Sequence, residues 1–169
     1  ARAAGWAATR PGAIRLFRAD HWGDTSAAVG SAVSVRVVVA GAAGMLGQKL
    51  VGALVRAGAL GERAISHLVL VDVVEPAVPT AVFTVEARRG DLAEPGITSS
   101  LVACRPDVVF HLAAVVSGEA EADVDKGYRI NLDGTRLLLD ALCAKQNGEY
   151  VPRVVVASSI AVFGAPFPD

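Results

Sequence analysis

Residues 35–47 read VRVVVAGAAGMLG, a run of β-branched residues that passes directly into a glycine-rich turn. Beyond the turn, apolar side chains recur at helical spacing, at Leu46, Leu50 and Leu54. A buried strand, a tight turn and an amphipathic helix in this order open a βα unit. The stretch therefore predicts a parallel sheet, because the helix of such a unit carries the chain back and the next strand then runs parallel to the first.

The glycines in this turn indicate a dinucleotide site. Glycine makes the turn tight, lets the backbone approach a pyrophosphate and brings the helix close to the sheet. The helix N-terminus presents unpaired N–H groups to phosphate. An ordinary turn with helix-capping glycines is the alternative, and the flanking strand and helix favour cofactor binding. The predicted cofactor contacts here are Gly41, Gly44, Met45, Leu46 and Gly47.

Strand-like and helix-like blocks continue to alternate along the chain. Predicted strands cover residues 35–40, 67–71, 82–87, 107–112 and 153–158, and predicted helices cover 44–57, 97–104 and 123–145. Strands that are rich in Val on both faces are typical of a parallel sheet with helices on two sides. We predict an α/β fold, a doubly wound parallel sheet, for residues 35–169.

Composition excludes several classes of protein. The 169 residues are 53% hydrophobic and 20% charged, with a net charge of −1, unlike a disordered chain. The near balance of 16 basic and 17 acidic residues gives no electrostatic reason to expect nucleic acid as a partner. No apolar run reaches the roughly 18 residues of a membrane span. Cys104 and Cys143 form no CxxC pair, and we interpret both as small buried hydrophobes in a reducing compartment.

Residues 1–34 differ from the rest of the chain. Up to Ala19 they contain four arginines and no acid: Arg2, Arg10, Arg15 and Arg18. An arginine-rich, acid-poor start is typical of an organelle transit peptide, which would imply an organelle matrix location. Because serine is scarce, we favour a disordered extension and a cytoplasmic protein.

Asp72 ends the second predicted strand, in Leu70-Val71-Asp72-Val73. An acid at this point accepts hydrogen bonds from the ribose hydroxyls of NAD and repels a 2′-phosphate. Val73 and Val74 follow it rather than an arginine, so NAD is favoured over NADP. The alternative is that Asp72 caps a turn.

The glycines of the turn have the spacing GxxGxxG, and four further motifs lie after it in the sequence. They are Gly90-Asp91-Leu92, His111-Leu112-Ala113-Ala114, Asn131 within Ile130–Thr135, and Ser158-Ser159-Ile160-Ala161-Val162-Phe163-Gly164. With these motifs the chain resembles the extended short-chain dehydrogenase/reductase family, which includes NAD-dependent nucleotide-sugar epimerases and dehydratases. The resemblance runs from Val35 to the last residue and implies a Rossmann-type sheet, here ending after the fifth strand.

The resemblance also implies roles for single residues. Asp91 and Leu92 would flank the adenine, and Ala113 and Ala114 would line the pyrophosphate and ribose. Ser159 would be the catalytic serine, which donates a hydrogen bond to the substrate oxygen. Asn131 is placed beside the cofactor by its motif. From the residue type alone, we interpret Asn131 as structural: a buried amide that bridges helix backbone to a strand.

Within the family, residues 111–121 resemble the D-erythronate dehydrogenases, as do residues 65–68 and 161–166. This resemblance implies a small sugar-acid substrate, with Ser117 and Ser159 in contact with it. UDP-sugar 4-epimerases tend to carry a lysine where Val116 stands, which argues against that activity. The family also implies a homodimer formed through helices, including the predicted helix 123–145.

No metal site is predicted. The acidic residues Glu119, Glu121, Asp123 and Asp125 lack the stepped glycine and terminal glutamate of a calcium loop. We interpret them as a solvated helix start, which the helix dipole favours. His111 ends a buried strand, and we interpret it as a packed, hydrogen-bonded residue.

The general base of the family is absent from the sequence. The family uses a tyrosine with a lysine four residues later, whereas Tyr128 is followed at that distance by Leu132 and Tyr150 by Val154. We therefore expect the isolated chain to lack dehydrogenase activity and the parent protein to oxidise a small sugar acid with NAD. A nucleotide-sugar epimerase or dehydratase and a non-catalytic NAD-binding module are the alternatives.

Overall fold

The structure, a computed structural model, describes residues 34–145 and 150–159. Its strands are β1 (Val35–Ala40), β2 (Ala59–Leu60), β3 (Arg63–Asp72), β4 (Thr84–Arg89), β5 (Val108–His111) and β6 (Arg153–Val156). Its helices are α1 (Met45–Ala57), α2 (Pro95–Ala103), α3 (Ser117–Ala122), α4 (Val124–Tyr128) and α5 (Thr135–Lys145). A π-helical segment, Arg129–Gly134, joins α4 to α5 and is called the π-turn below.

Strand β1 lies at the centre of the sheet, and its alternating side chains build two cores. Val35, Val37 and Val39 pack with Val51 and Leu54 of α1 on one face. On the other face, Val38 and Ala40 belong to a second buried cluster that includes residues of α2 and α5, at Leu101, Val102, Leu138 and Leu142. Both faces of β1 are therefore buried, as the valine-rich sequence predicts.

The parallel strands lie in the order β4–β3–β1–β5–β6. The chain thus moves outward from β1 in one direction and then crosses to its other side, which confirms the doubly wound parallel sheet. The order reverses between β1 and β5, whose carboxyl ends pair at Ala40 and His111. Ligands of such sheets bind in the crevice outside the carboxyl ends at this reversal.

Several element boundaries differ from those predicted. Strand β4 begins at Thr84 instead of Val82, and β3 begins at Arg63 because its first residues pair antiparallel with β2. The predicted helix 123–145 is confirmed in its extent, because α4, the π-turn and α5 follow one another without a gap after the N-cap Asp123, but its middle is π-helical. Asp123 separates α3 from α4, and the π-turn interrupts the α-helix before α5. Helical spacing of apolar residues does not reveal such interruptions, because they shift the helix by only a residue or two.

The cysteines are also less buried than predicted, since both are half-buried free thiols. The Sγ atom of Cys104 accepts a hydrogen bond from an arginine, at 3.2 Å from Nη2 of Arg88. A thiol with a cationic donor is not a simple hydrophobe, so the interpretation of Cys104 is corrected. Among the described residues, no helix has the length and apolar character that a membrane crossing requires.

Tyr150 anchors the chain as it enters β6. Its buried hydroxyl donates to the carbonyl oxygen of Pro106 at 2.8 Å, and the guanidinium of Arg105 lies 4.7 Å from the ring centroid. Burial raises the pKa of Tyr150 to about 12. The neutral phenol is therefore the form that the fold stabilises.

We expect Tyr150→Phe to lower the free energy of unfolding by about 1 kcal/mol, because the Pro106 carbonyl loses its donor while the ring still packs. Urea denaturation near neutral pH measures this change. Since the folded pKa exceeds the ordinary value near 10, the contribution of Tyr150 persists up to about pH 10 and is lost towards pH 12. Equal stability of the two proteins at pH 7 would contradict the prediction.

Candidate functional site

Two glycines of the turn after β1 stand where the backbone leaves no room for a side chain. Gly41 has φ of +85°, and a Cβ there would lie 2.5 Å from the nitrogen of Ala113. A Cβ at Gly47 would overlap the carbonyl oxygen of Gly41 and lie 2.8 Å from Cα of Ala42. The helix therefore starts directly against the turn, and the turn lies directly against the segment after β5.

The N-terminus of α1 has no side-chain cap. Gly44 is the N-cap residue, no acidic residue lies in the first turn, and Met45 and Leu46 are exposed. The side chain of Gln48 braces the turn by donating to the carbonyl oxygen of Ala43 at 2.6 Å. The first amides of α1 are thus available to an anion, and the macrodipole favours a pyrophosphate there.

Asp72 ties the end of β3 to the glycine turn. Its Oδ2 accepts from the backbone nitrogen of Ala43 at 2.9 Å, and its Oδ1 accepts from that of Val74 at 3.3 Å. A carboxylate has about four acceptor positions, so these two bonds leave capacity for ribose hydroxyls. The carboxylate therefore shapes the turn, as the turn-capping alternative expects, and its contact with the ribose stays a prediction.

A cleft of about 360 Å³ opens beside Asp72. It is lined by Val73, Arg89, Gly90, Asp91 and Glu94. Asp91 holds one carboxylate oxygen on the backbone nitrogen of Ala93 at 2.8 Å and pairs the other with Nη1 of Arg129. The cleft lies beside the strand end that carries Asp72 and has charged lining residues, and adenosine binding there stays a prediction.

The π-turn reaches the segment that follows β5. The side-chain amide of Asn131 accepts from the nitrogen of Val115 at 2.8 Å and donates to its carbonyl oxygen at 3.0 Å. Asn131 thus bridges helix backbone to the chain leaving the strand, although its side chain is exposed and not buried as predicted. Ala113, two residues before Val115, lies directly against Gly41, and Ala114 follows it in the chain.

His111 is buried at the end of β5, with 3% exposure, which confirms that it is a packed, hydrogen-bonded residue. Its Nε2 lies 2.7 Å from Oγ1 of Thr135, and this hydroxyl donates to the carbonyl oxygen of Asn131 at 2.8 Å. The hydroxyl oxygen therefore accepts from Nε2, and the other nitrogen, Nδ1, is buried with no hydrogen-bond partner in the described part of the chain. Burial lowers the pKa of His111.

We expect the protein to lose stability below about pH 6.5, because His111 is neutral in the fold and must be protonated on unfolding in acid. Its contribution is complete above the ordinary pKa and declines as pH falls towards the lower folded value. His111→Gln keeps a donor for Thr135 and cannot be protonated. The urea midpoint of this variant should therefore fall less than that of wild type when the pH is lowered from 7.5 to 5.5. The matched control is His67→Gln, at an exposed position of β3, which should retain the wild-type pH dependence.

Ser158 and Ser159 follow β6 and are exposed at the carboxyl edge of the sheet. Residues 1–33 and 160–169 lie outside the described residues. The second of these ranges includes the rest of the predicted serine motif and all of the 161–166 segment that carries the resemblance. Ser117 is placed as the first residue of α3. The structure therefore brings the glycine turn, Asp72, Asp91, Leu92, Ala113, Ala114 and Asn131 to one edge.

The acidic residues that were considered as metal ligands lie apart on two short helices. Glu119 is in the first turn of α3, and Asp125 is in the first turn of α4. Glu119 pairs with Nζ of Lys126, and Asp123 caps α4 by accepting from the nitrogen of Lys126. Within residues 34–145 and 150–159, no group of three or more metal-ligating side chains converges.

Two functional candidates were missed in the sequence. Arg89 lines the cleft and donates from Nε to the carbonyl oxygen of Val73 at 3.1 Å. Its place directly before Gly90-Asp91 was a usable signal. Arg129 pairs with Asp91 across 38 positions, and no sequence pattern predicts that partnership.

Comparisons with known proteins agree with this geometry. The model of the NAD dependent epimerase/dehydratase family matches residues 37–169. The chain is 41% identical to a D-erythronate dehydrogenase from Cupriavidus necator over 139 residues, and 37% identical to one from Haemophilus influenzae over 135 residues. These alignments cover 79% and 80% of this chain, which spans 41% of the length of each relative.

A crystal structure described as a nucleoside-diphosphate-sugar epimerase from Agrobacterium tumefaciens is also similar, with 54% identity and a TM-score of 0.75. The match covers 80% of this chain and 40% of that one. NAD is the cofactor of this family, and the uncapped start of α1, the crowded glycines and Asp72 fit it. The chain belongs to the NAD dependent epimerase/dehydratase family.

Proposed function

We propose that the complete protein is an NAD-dependent dehydrogenase that oxidises a small sugar acid such as D-erythronate at C2. The observation that carries the proposal is the 41% identity to D-erythronate dehydrogenase over 79% of the chain. The identity extends across the segments that contain the cofactor crevice. Val116, where UDP-sugar 4-epimerases tend to carry lysine, supports a dehydrogenase further.

In this proposal, the described residues bind and orient the cofactor. The amides at the start of α1 hold the pyrophosphate, and Asp72 accepts from the adenosine ribose hydroxyls. Ala113 and Ala114 pack along the ribose and pyrophosphate, while Leu92 closes the adenine side. NAD supplies the acceptor for the hydride that leaves the substrate carbon.

The substrate hydroxyl has two assigned partners. Ser159 donates a hydrogen bond to its oxygen, and Ser117 contacts the substrate near the nicotinamide. The proton of the hydroxyl passes to a tyrosine whose pKa is lowered by a lysine four residues later. Tyr128 and Tyr150 have no such lysine, so we assign this step to a pair in the remaining length of the complete protein.

The test compares substrates in the complete protein. We expect NADH formation, followed at 340 nm, with D-erythronate and related four-carbon hydroxy acids, and none with UDP-sugars. Ser159→Ala should lower kcat by about a hundredfold or more while leaving NAD affinity unchanged, because it removes a donor to the reacting oxygen. UDP-sugar interconversion without net NADH formation would support the second candidate, a nucleotide-sugar epimerase, which the Agrobacterium structure favours by its description.

The isolated 169-residue chain provides a further test. We expect it to bind NAD without turnover, because it has no tyrosine–lysine pair. NAD binding without turnover in the complete protein as well would instead support a non-catalytic module.

We also propose that the protein is cytoplasmic, since both cysteines are free thiols.

We propose a homodimer through the α4–α5 region. Val124, Tyr128 and Leu132 recur every four residues there, and each side chain is more than half exposed, at 56%, 64% and 54%. Such a stripe is stabilised when a second apolar surface covers it. Sedimentation of the complete protein at increasing concentration measures the association.

A further inference from the structure

The family resemblance places Asp91 beside the adenine, and we propose that Arg129 positions this carboxylate on the 6-amino group, so that the site is selective for adenine over hypoxanthine dinucleotides. This inference rests on the proposed cofactor site. It adds a residue of the π-turn to the recognition of a base that the cleft after β4 would contact.

Asp91 is the carboxylate of the cleft that is restrained on both oxygens. Oδ1 accepts from the nitrogen of Ala93 at 2.8 Å, and Oδ2 pairs with Nη1 of Arg129. The side chain of Asp91 is only 14% exposed, whereas that of Arg129 is 52% exposed. The arginine therefore holds the carboxylate from its solvent side, and the acceptor keeps one orientation towards the cleft.

The chemistry of the cleft distinguishes the two bases. A carboxylate accepts hydrogen bonds and cannot donate them when ionised, so it suits the 6-amino group of adenine. Hypoxanthine carries an oxygen at the same position, which would face the carboxylate oxygen without a shared proton. The hypoxanthine dinucleotide thus loses one hydrogen bond and brings two acceptor oxygens together, and sites built around a hydrogen bond reject analogues that lack it.

The position of the π-turn explains why Arg129 is the residue that restrains the Asp91 carboxylate. Arg129 reaches the segment after β4, while Asn131, two residues later, holds Val115 after β5. One short segment is thus bonded to both chain segments that border the crevice. Arg129 therefore acts on the base through Asp91 and is a positioning residue, not a catalytic one.

The experiment measures the affinity of the complete protein for NAD and for nicotinamide hypoxanthine dinucleotide by calorimetry, without substrate. Wild type should prefer NAD by about tenfold or more. We expect Arg129→Gln to weaken NAD about tenfold and to leave the hypoxanthine dinucleotide nearly unchanged, so the preference disappears. Arg129→Lys retains a cation for Asp91 and should recover most of the preference.

The matched control is Arg136→Gln, the same substitution in the same helical region. Arg136 pairs at 3.6 Å with Asp133, and both side chains are about half exposed. This variant should keep the wild-type affinities. Asp91→Asn is a second test, because this variant should lose the preference for NAD over the hypoxanthine dinucleotide by itself. Adding Arg129→Gln to it should then change neither affinity, which a double-mutant cycle measures.

The outcomes separate this inference from the proposed site. If Arg129→Gln weakens both dinucleotides equally, or neither, the role of Arg129 in base recognition is wrong while NAD binding stands. If Asp91→Asn keeps the preference, Asp91 is not the acceptor. If wild type binds neither dinucleotide, the proposed cofactor site fails, and this inference fails with it.

Discussion

Gly47→Ala is expected to unfold or severely loosen the cofactor turn and to weaken NAD binding by about a hundredfold in the complete protein. A Cβ at this position would overlap the carbonyl oxygen of Gly41 and lie 2.8 Å from Cα of Ala42. Both obstacles are backbone atoms, so no rotamer change relieves them. The helix must then move away from the turn, which also displaces the amides that hold the pyrophosphate.

The matched control is Gly52→Ala, the same substitution one and a half turns later in α1. The nearest atom to a Cβ there is Nη1 of Arg56 at 3.3 Å, at the end of a flexible side chain. We expect this variant to be stabilised by about 0.5–1 kcal/mol, because alanine is favoured over glycine inside a helix. Urea denaturation and NAD calorimetry measure both variants. Gly47→Ala with wild-type affinity would contradict the assignment of the turn.

Asp72→Asn is expected to reduce the preference of the protein for NAD over NADP. The substitution removes the charge that repels a 2′-phosphate, and its single amide oxygen replaces two carboxylate oxygens that hold Ala43 and Val74. We expect NAD affinity to fall by about tenfold, since hydrogen bonds to charged groups are the stronger kind. NADP should bind more tightly than it does to wild type, because the repulsion is gone.

Calorimetry with NAD and NADP on the complete protein tests this result. The control is Glu75→Gln, an exposed acid three residues later, which removes the same charge without touching the turn. If Glu75→Gln changes the NAD to NADP ratio as much, the effect comes from net charge and not from Asp72. If wild type already binds NADP as tightly as NAD, the role given to Asp72 is wrong.

The sheet could be predicted from local sequence because its signals are short-range. Val35, Val37 and Val39 alternate with Val38, and burial of both sets follows from a strand that is covered on two sides. The glycine turn was predictable for a related reason. Gly41 and Gly47 are required wherever a strand, a turn and a helix meet this closely, and that requirement is visible as spacing.

The π-helical segment could not be predicted in the same way. Residues 123–145 have one continuous apolar periodicity, yet Arg129–Gly134 form the π-turn between α4 and α5. Two residues of the π-turn contact distant segments, Asn131 at Val115 and Arg129 at Asp91. Periodicity reports which face is apolar and carries no information on partners 16 or 38 residues away.

The sequence by itself determined the family, the doubly wound sheet and the type of cofactor, because each depends on residues that are close together along the chain. Only the tertiary structure decided how Asp72, Asp91 and Asn131 are held. Asp72 is bonded to the turn, Asp91 to Arg129, and Asn131 to the backbone of Val115. The physical reason is that a hydrogen-bond partner is chosen by distance in space, which the order of residues leaves open until the sheet has formed.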